Sequence, residues 1–273
     1  MRSTNRRKTA LLVMAVMLGS AATQAAAAPP VPAAQPFDAV GKPDSIDPQW
    51  RAALCAHLPQ PCDASSLRLL RPRAPAADAY VVLSDQPLAM ARVTHTPPAG
   101  WKLDALHDFG GYRHSMAETT TDNGTAGPQP LSLAPALYPV ADGHWAVAVL
   151  WSVTESYSGG GASFRTADFV PLDGPKKADG LAHSGVPFAC YKMVRACFSE
   201  KEYKTSPHCH DESTGSLRIA YAAPAKAGGD YRWSYTWRQS EWAAHEPARN
   251  QSIKVARFTD RGGQAVPFCG GPQ

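Results

Sequence analysis

The feature that most constrains the fold is a pair of alternating segments between residues 144 and 172. In the first segment the odd positions carry bulky apolar side chains and the even positions carry mostly small or polar ones; the bulky set is Trp145, Val147, Val149, Trp151 and Val153. Successive side chains of a strand point to opposite sides of its sheet, so this period of two predicts a strand with one bulky and one small face. We expect the bulky face to lie in the core.

Turn signals stand at both ends of this first segment. Asp142-Gly143 follows an apolar run over residues 131–140 and is typical of a hairpin, because glycine adopts positive φ without a Cβ clash. The loop Ser156–Gly161 then leads into the second alternating segment, which ends near Leu172. The sequence therefore predicts three consecutive antiparallel strands.

Similar short runs, separated by Pro, Gly and Asp, occur on both sides of this meander. They predict strands within residues 67–70, 80–83, 88–95, 101–109, 112–121, 186–198, 217–223, 231–242 and 253–258. Asp47-Pro48 predicts a helix start, and Ser199 with Glu202 matches a capping box. We expect a mainly β fold of antiparallel meander sheets, sandwich-like or barrel-like, with a short N-terminal helix and disulfides.

The first 46 residues differ in composition from the rest. Residues 1–28 combine a basic start, an apolar run of about ten residues and a small-residue A-x-A end, which predicts a secretory signal peptide. Residues 29–46 are rich in Pro and Ala and predict an extended linker. We expect one β-rich domain over residues 47–273, with a candidate subdomain boundary at the polar stretch 173–185.

Net charge argues against two classes of partner. The chain has 27 Lys+Arg and 23 Asp+Glu, and the signal peptide holds four of the basic residues, so the remaining chain has 23 of each. Nucleic-acid binding rests on an excess of Lys and Arg, and that excess is missing here. There is no second apolar run of spanning length and no cysteine at the cleavage region, so we expect no nucleic-acid partner, no membrane anchor and a periplasmic or secreted location.

The six cysteines predict three disulfides in an oxidising compartment: Cys55, Cys62, Cys190, Cys197, Cys209 and Cys269. Cys55 and Cys62 stand alone in the N-terminal half, which favours their pairing. Of the connectivities open to the other four we prefer Cys190 with Cys197 and Cys209 with Cys269, the second of which would attach the C-terminal tail to the body.

Several groups of residues are candidates for chemistry, and for each the structural interpretation is favoured. The aromatic face of Tyr231–Arg238 could stack on sugars, but rings of this size more often fill a core. His208 and His210 are metal-ligand types next to Cys209, yet two ligands do not make a site, and we expect an ordinary loop. Ser115 beside His114 fits no nucleophile motif. Asp104, Asp108 and Glu118 could supply the paired carboxylates of a glycoside hydrolase, but a sequence does not give the separation of carboxyl groups. We expect no catalytic residue, metal or cofactor.

A binding function is what remains. The glycine loop joins the two best-defined strands, and binding residues concentrate on loops held by rigid scaffolds. The candidate binding residues are Tyr157, Ser158, Gly159, Gly160 and Arg165. We expect an exported, non-catalytic binding protein, of the inhibitor or immunity type, with a protein partner in the cell envelope. The alternative is an envelope hydrolase acting on glycan or ester substrates.

Overall fold

Thirteen antiparallel strands form one hydrogen-bonded sheet within the described residues of the computed structural model, which are 30–41, 46–73, 78–118, 131–173 and 180–271. The strands are β1 (Gln35–Ala39), β2 (Leu67–Pro72), β3 (Ala79–Asp85), β4 (Leu88–Thr96), β5 (Gly100–Asp108), β6 (Leu131–Ala141), β7 (His144–Tyr157), β8 (Gly160–Pro171), β9 (His183–Arg195), β10 (His210–Ala222), β11 (Arg232–Trp242), β12 (Ser252–Thr259) and β13 (Gly262–Gly263). The helices are α1 (Pro48–Cys55) and α2 (Glu200–Thr205). No helix among the described residues has the length and apolarity needed to cross a membrane.

Two meanders make up the sheet. Strands β2 to β5 follow one another in space, as do β6 to β13, and β1 lies between β2 and β6. The prediction of a mainly β fold built from antiparallel meanders, with a short N-terminal helix and disulfides, is confirmed. The helix signals are confirmed as well: Asp47 caps α1, and Ser199 and Glu202 form a capping box at α2.

The structure differs from the sequence prediction in the expected linker. Residues 35–39 form β1, which pairs with β6 through Gln35 and with β2 through Asp38. Phe37 is buried in the core, and strands on both sides supply the backbone hydrogen bonds that a Pro-rich segment cannot make for itself. Of the candidate boundary at residues 173–185, positions 174–179 lie outside the described residues, and His183 begins β9.

Strand β7 is buried on both of its faces along its first half. Val147 and Val149 are fully buried against side chains of β1 to β4, in a core that also contains Phe37, Leu83 and Met90. This confirms that the bulky face lies in a core. The small face, however, is equally buried: Ala146, Ala148 and Leu150 pack against large rings of β6, β8 and β11.

The second core depends on the small side chains of β7. Because Ala146 and Ala148 leave room, Phe169 and Trp233 meet edge to face with their centroids 4.8 Å apart, and Tyr138 packs against Phe169 at 4.9 Å. The indole N–H of Trp233 donates to the carbonyl oxygen of Pro139 at 3.0 Å, so β11 is fixed to β6 although the two are not neighbours in the sheet. The sheet therefore folds back on itself around this core.

Three disulfides are present, and two of them correct the expected pairing. Cys55–Cys62 is as predicted, but Cys190 pairs with Cys269 and Cys197 pairs with Cys209. Cys190 lies inside β9, where five residues of extended strand to Arg195 span about 16 Å, whereas disulfide-bonded Cα atoms lie within about 7 Å. Cys190 therefore cannot reach Cys197, and it holds the C-terminal tail instead. The described cysteines include no free thiol.

The two-sided burial of β7 gives a stability prediction. Replacing Ala148 with Leu adds bulk against Phe169 and Trp233 and should lower the free energy of unfolding by about 1–3 kcal/mol. Thr154→Leu is the matched control, because Thr154 has the same strand parity but is exposed, and it should change stability by less than about 0.5 kcal/mol. Urea unfolding of both variants measures the difference, and equal stabilities would contradict burial of the small face.

Candidate functional site

One exposed surface with a distinctive composition is the outward side of β8 to β12. We call it the arginine face and define it by Arg165, Ala189, Tyr191, Thr214, Ser216, Arg218, Thr236, Arg238, Ser240, Ile253, Val255 and Arg257. The strand register aligns these residues in rows across the sheet: Arg165, Ala189, Ser216, Arg238 and Val255 form one row, and Arg218, Thr236 and Arg257 form the next. Sequence analysis found only one edge of this surface, through Arg165 and the alternation within β11.

The arginines of this face lack acidic neighbours. Within the described residues, Arg165, Arg218, Arg238 and Arg257 are exposed and make no ion pair or side-chain hydrogen bond. Among the outward positions of β8 to β12 in the described chain, the one carboxylate is that of Glu212, at the far end of the face. The four guanidinium groups therefore form a local positive surface on a chain whose overall charge is nearly balanced.

Apolar side chains lie next to the arginines. Tyr191, Ile253 and Val255 are 42%, 44% and 43% exposed, which is high for large apolar residues within strands. Aromatic and arginine side chains are enriched at protein–protein interfaces, whereas Lys and Glu are depleted. The arginine face thus has the composition of an interface more than that of an ordinary solvated sheet.

The predicted hairpin residues do not form one surface with Arg165. Tyr157 ends β7, Ser158 and Gly159 form the turn, and Gly160 begins β8. The Tyr157 ring covers Gly160 and its hydroxyl donates to the carbonyl oxygen of Met193 at 3.2 Å. By strand parity Tyr157 lies on the side opposite Arg165, which pairs with the half-buried Ser152. Tyr157 remains 41% exposed, but it also helps to hold the hairpin against β9.

Glycine is required at position 160. A Cβ there would overlap both the Met193 carbonyl oxygen and the Tyr157 ring. Nearby, the Arg195 backbone N–H donates to Gly159 at 2.6 Å, so the turn is tied to the end of β9. The glycines of this loop therefore serve close packing between β7, β8 and β9.

His114 and Ser115 lie together, but around a buried carboxylate. Asp168 of β8 is fully buried and accepts hydrogen bonds from the Tyr112 hydroxyl, the Gly185 backbone N–H, and both the backbone N–H and hydroxyl of Ser115, at 2.6–2.7 Å. The predicted strand over residues 112–121 is wrong over its described part, because Ser115–Glu118 forms a 3-10 turn, whose first residue presents its backbone N–H and hydroxyl to Asp168. Residues 119–121 lie outside the described chain.

The Ser115 hydroxyl donates to Asp168, and the His114 Nδ1 atom lies 3.6 Å from the same carboxylate. Nucleophilic catalysis instead needs a hydroxyl that donates to an imidazole. Burial by itself would raise the pKa of Asp168, but the bonds from Ser115, Gly185 and Tyr112 outweigh it and lower the pKa. Burial lowers the pKa of His114, and the opposing effect of Asp168 does not reverse this. An ionised Asp168 and a neutral His114 give this cluster a structural role.

The lowered pKa of His114 predicts acid sensitivity. The pKa of His114 in the folded protein lies below its unfolded value of about 6.5. The stability that follows from this difference is complete above pH 6.5 and is lost as the pH falls toward the folded pKa. Each unit of depression is worth about 1.4 kcal/mol. We expect the free energy of unfolding to fall between pH 7.5 and pH 5, and to fall less in His114→Gln, as measured by urea unfolding at both pH values. An identical fall in both proteins would assign the pH dependence to other groups.

The remaining candidates are separated or buried. Trp233, Tyr235 and Trp237 fill the cores, as the structural interpretation of the aromatic strand predicted. Asp104 accepts a hydrogen bond from Thr94, Asp108 accepts one from the Gly110 backbone, and the side chain of Glu118 lies outside the described structure. Within the described structure, Asp104 and Asp108 thus each accept a hydrogen bond from a separate donor and make none with each other.

A cavity of about 550 Å³ lies beside the second core. Its walls include His183, Asp230, Ser234 and Asp260, and the His183 ring stacks on Trp233 at 4.3 Å between centroids. A neighbouring cavity of about 630 Å³ shares His183 and Asp260. No sequence motif marked this cavity, because its walls come from the start of β9, the start of β11 and the end of β12.

The structure also brings His208, His210 and Glu212 together. The three side chains present ligand atoms that all lie within 4.8 Å of one another, at the point where β10 begins. Sequence analysis favoured an ordinary loop here. The extended backbone from Cys209 into β10 places the two histidines near each other, and Glu212 adds a third donor.

No protein-family model matches the chain, and no significant match is found among curated proteins or solved structures.

Proposed function

We propose that the protein is a non-catalytic binding protein, of the inhibitor or immunity type, that uses the arginine face to hold an acidic surface of a protein partner in the periplasm or outside the cell. The observation that carries this proposal is the set of four unpaired, exposed arginines interleaved with Tyr191, Ile253 and Val255. Three disulfides support an oxidising compartment, and the sequence of residues 1–28 supports export.

Arginine chemistry favours a carboxylate-bearing partner. A guanidinium group is planar, stays charged and matches a carboxylate through two parallel hydrogen bonds. Four such groups stand on β8, β10, β11 and β12 in a pattern set by the strand register, which favours a protein surface with Asp and Glu at matching spacing. The hydroxyl groups of Ser216 and Thr236 lie in the same rows as the arginines, and those of Thr214 and Ser240 lie in the neighbouring row. All four can donate further hydrogen bonds.

The face forms the centre of an interface. Five strands spaced about 4.8 Å apart span about 19 Å, and the rows from Thr214 to Arg218 extend for about 14 Å along β10. A partner that reaches the roughly 800 Å² usual for one side of a stable complex therefore also contacts residues around these rows.

The scaffold beneath the face is rigid. Cys190–Cys269 holds β9 to the C-terminal tail, and Gln239 of β11 accepts hydrogen bonds from the Cys269 backbone at 2.9 Å and from the Trp237 indole at 3.3 Å. A surface that is already ordered loses little conformational entropy on binding, which favours affinity.

The test is comparative capture of the partner. The double variant Arg218→Glu/Arg238→Glu should lose a partner that the wild type retains from envelope extract, because two attractive charges become repulsive. The control is Arg92→Glu, an exposed strand arginine of β4 that lies outside the face, and it should retain the partner. Once purified, the partner should bind the double variant at least about tenfold more weakly, about 1.4 kcal/mol, and wild-type binding should weaken with added salt.

All three proteins should unfold at the same temperature, because the substituted side chains are exposed. A partner retained equally by the wild type and the double variant contradicts the assignment of the arginine face. The assignment is also contradicted if the wild type and the double variant retain the same set of proteins, or none.

A second function, hydrolysis of envelope glycans or esters, is favoured by one observation. The cavity of about 550 Å³ brings an imidazole, from His183, together with the carboxylates of Asp230 and Asp260. Histidine and carboxylate groups are the usual acid–base pair of hydrolases. Turnover of peptidoglycan or ester substrates that is lost in His183→Ala would favour this function over the first.

A further inference from the structure

The cluster of His208, His210 and Glu212 has the donor set of a divalent transition-metal site. The Nε2 atom of His208 lies 3.8 Å from Oε1 of Glu212, and the Nδ1 atom of His210 lies 4.0 Å from the same oxygen. These distances exceed those of hydrogen bonds, so the three groups face each other without being bonded. The three atoms surround a common space.

His208 supplies an independent indication of a ligand. Its side chain is 9% exposed, and its Nε2 atom is buried without a hydrogen-bond partner in the described structure. Buried polar atoms are nearly always paired, because leaving one unpaired costs about 1–3 kcal/mol. This nitrogen points toward Glu212 and His210, where a bound cation would pair with it.

The positions of both histidines are fixed by their surroundings. The His208 ring stacks on Trp242 at 3.5 Å between centroids and 3° between planes, and the Trp242 indole N–H is held by the Glu246 carbonyl oxygen at 2.8 Å. Between the two histidines, Cys209 is bonded to Cys197, and its carbonyl oxygen accepts a hydrogen bond from Ala196 at 2.8 Å. Such outer contacts orient metal ligands in known sites.

The neighbouring cation of Arg195 is engaged away from the cluster. Arg195 pairs with His210 in the strand register, but its guanidinium group donates to the Cys197 carbonyl oxygen at 2.9 Å and lies over the Phe198 ring. Glu212 accepts no hydrogen bond within the described residues and is 30% exposed, so its carboxylate is free to move.

We infer that His208, His210 and Glu212 bind one Zn²⁺ or Cu²⁺ ion per chain, with a coordination position left for water. Imidazole and carboxylate donors suit these ions, and a set of two histidines and one glutamate is a known zinc arrangement. Bonds of about 2.0–2.1 Å in tetrahedral geometry place ligand atoms about 3.3 Å apart. Side-chain rotations that move the ligand atoms of Glu212 and His210 by up to about 1.5 Å bring them to this separation, while the stacked His208 stays in place.

The test measures metal binding by the intact, disulfide-bonded protein after chelator treatment. Calorimetric titration with Zn²⁺ should give one ion per chain, and Co²⁺ should give the visible absorption bands of a four-coordinate N/O site. His210→Gln and Glu212→Gln should each weaken binding by more than the roughly 10- to 100-fold that loss of an outer contact costs. Both side chains are about one-third exposed, so both variants should fold, which circular dichroism checks.

The matched control is His245→Gln. His245 is adjacent, since its backbone N–H donates to the His208 carbonyl oxygen, but its ring pairs with Ser206 and is not one of the three donors. This variant should bind Zn²⁺ like the wild type. Absence of stoichiometric binding, or binding unchanged in His210→Gln and Glu212→Gln, overturns the inference. A lower melting temperature of metal-free Glu212→Gln with unchanged Zn²⁺ affinity would also overturn it, because the cluster would then be an ion pair only.

Discussion

The structure depends on one strand, β7, that has no solvent-facing side along its first half. Val147 and Val149 pack into the core shared with β1 to β4, and Ala146 and Ala148 pack into the core shared with β8 and β11. Apolar burial is worth about 25 cal/mol per Å², so a strand buried on both sides stabilises two layers at once. The alanines matter as much as the valines, because only small side chains let Phe169 and Trp233 approach the backbone.

This arrangement limits where function can lie. The two cores bury both faces of the sheet around β6, β7 and the adjoining end of β8. The buried Asp168 cluster belongs to the same region. The sheet leaves a continuous side open farther along, on β8 to β12, and the arginines are found there. The histidine cluster lies at the end of the same strands, where the Cys197–Cys209 disulfide holds the backbone. The exposed arginines and the histidine cluster therefore both lie away from the strands that are buried on two sides.

Local patterns predicted the elements well because each rests on nearby residues. The alternation of Val147, Val149 and Trp151 predicted β7, and the capping box of Ser199 and Glu202 predicted α2. Features made by distant residues were missed. Strand β1 exists because β2 and β6 flank it, and Cys190 meets Cys269 because the tail folds under β9. The arginine face and the His208 cluster likewise need strand register, which a single sequence does not display. Of the arginines on the face, Arg165 alone was a candidate binding residue in the sequence.

Native-state hydrogen exchange of the wild type and Val149→Ala tests most directly whether β7 couples the two cores. Val149 belongs to the first core, and its replacement by Ala removes buried methyl groups there. The free energy of unfolding should therefore fall by roughly 1–3 kcal/mol. If β7 couples the two cores, the slowest amides of β2 to β4 and of β9 to β11 exchange through one global unfolding. The free energies of exchange of both sets of amides then fall by the same amount in the variant. A fall confined to β2 to β4, with β9 to β11 unchanged, would show that the two halves unfold independently and would contradict the account.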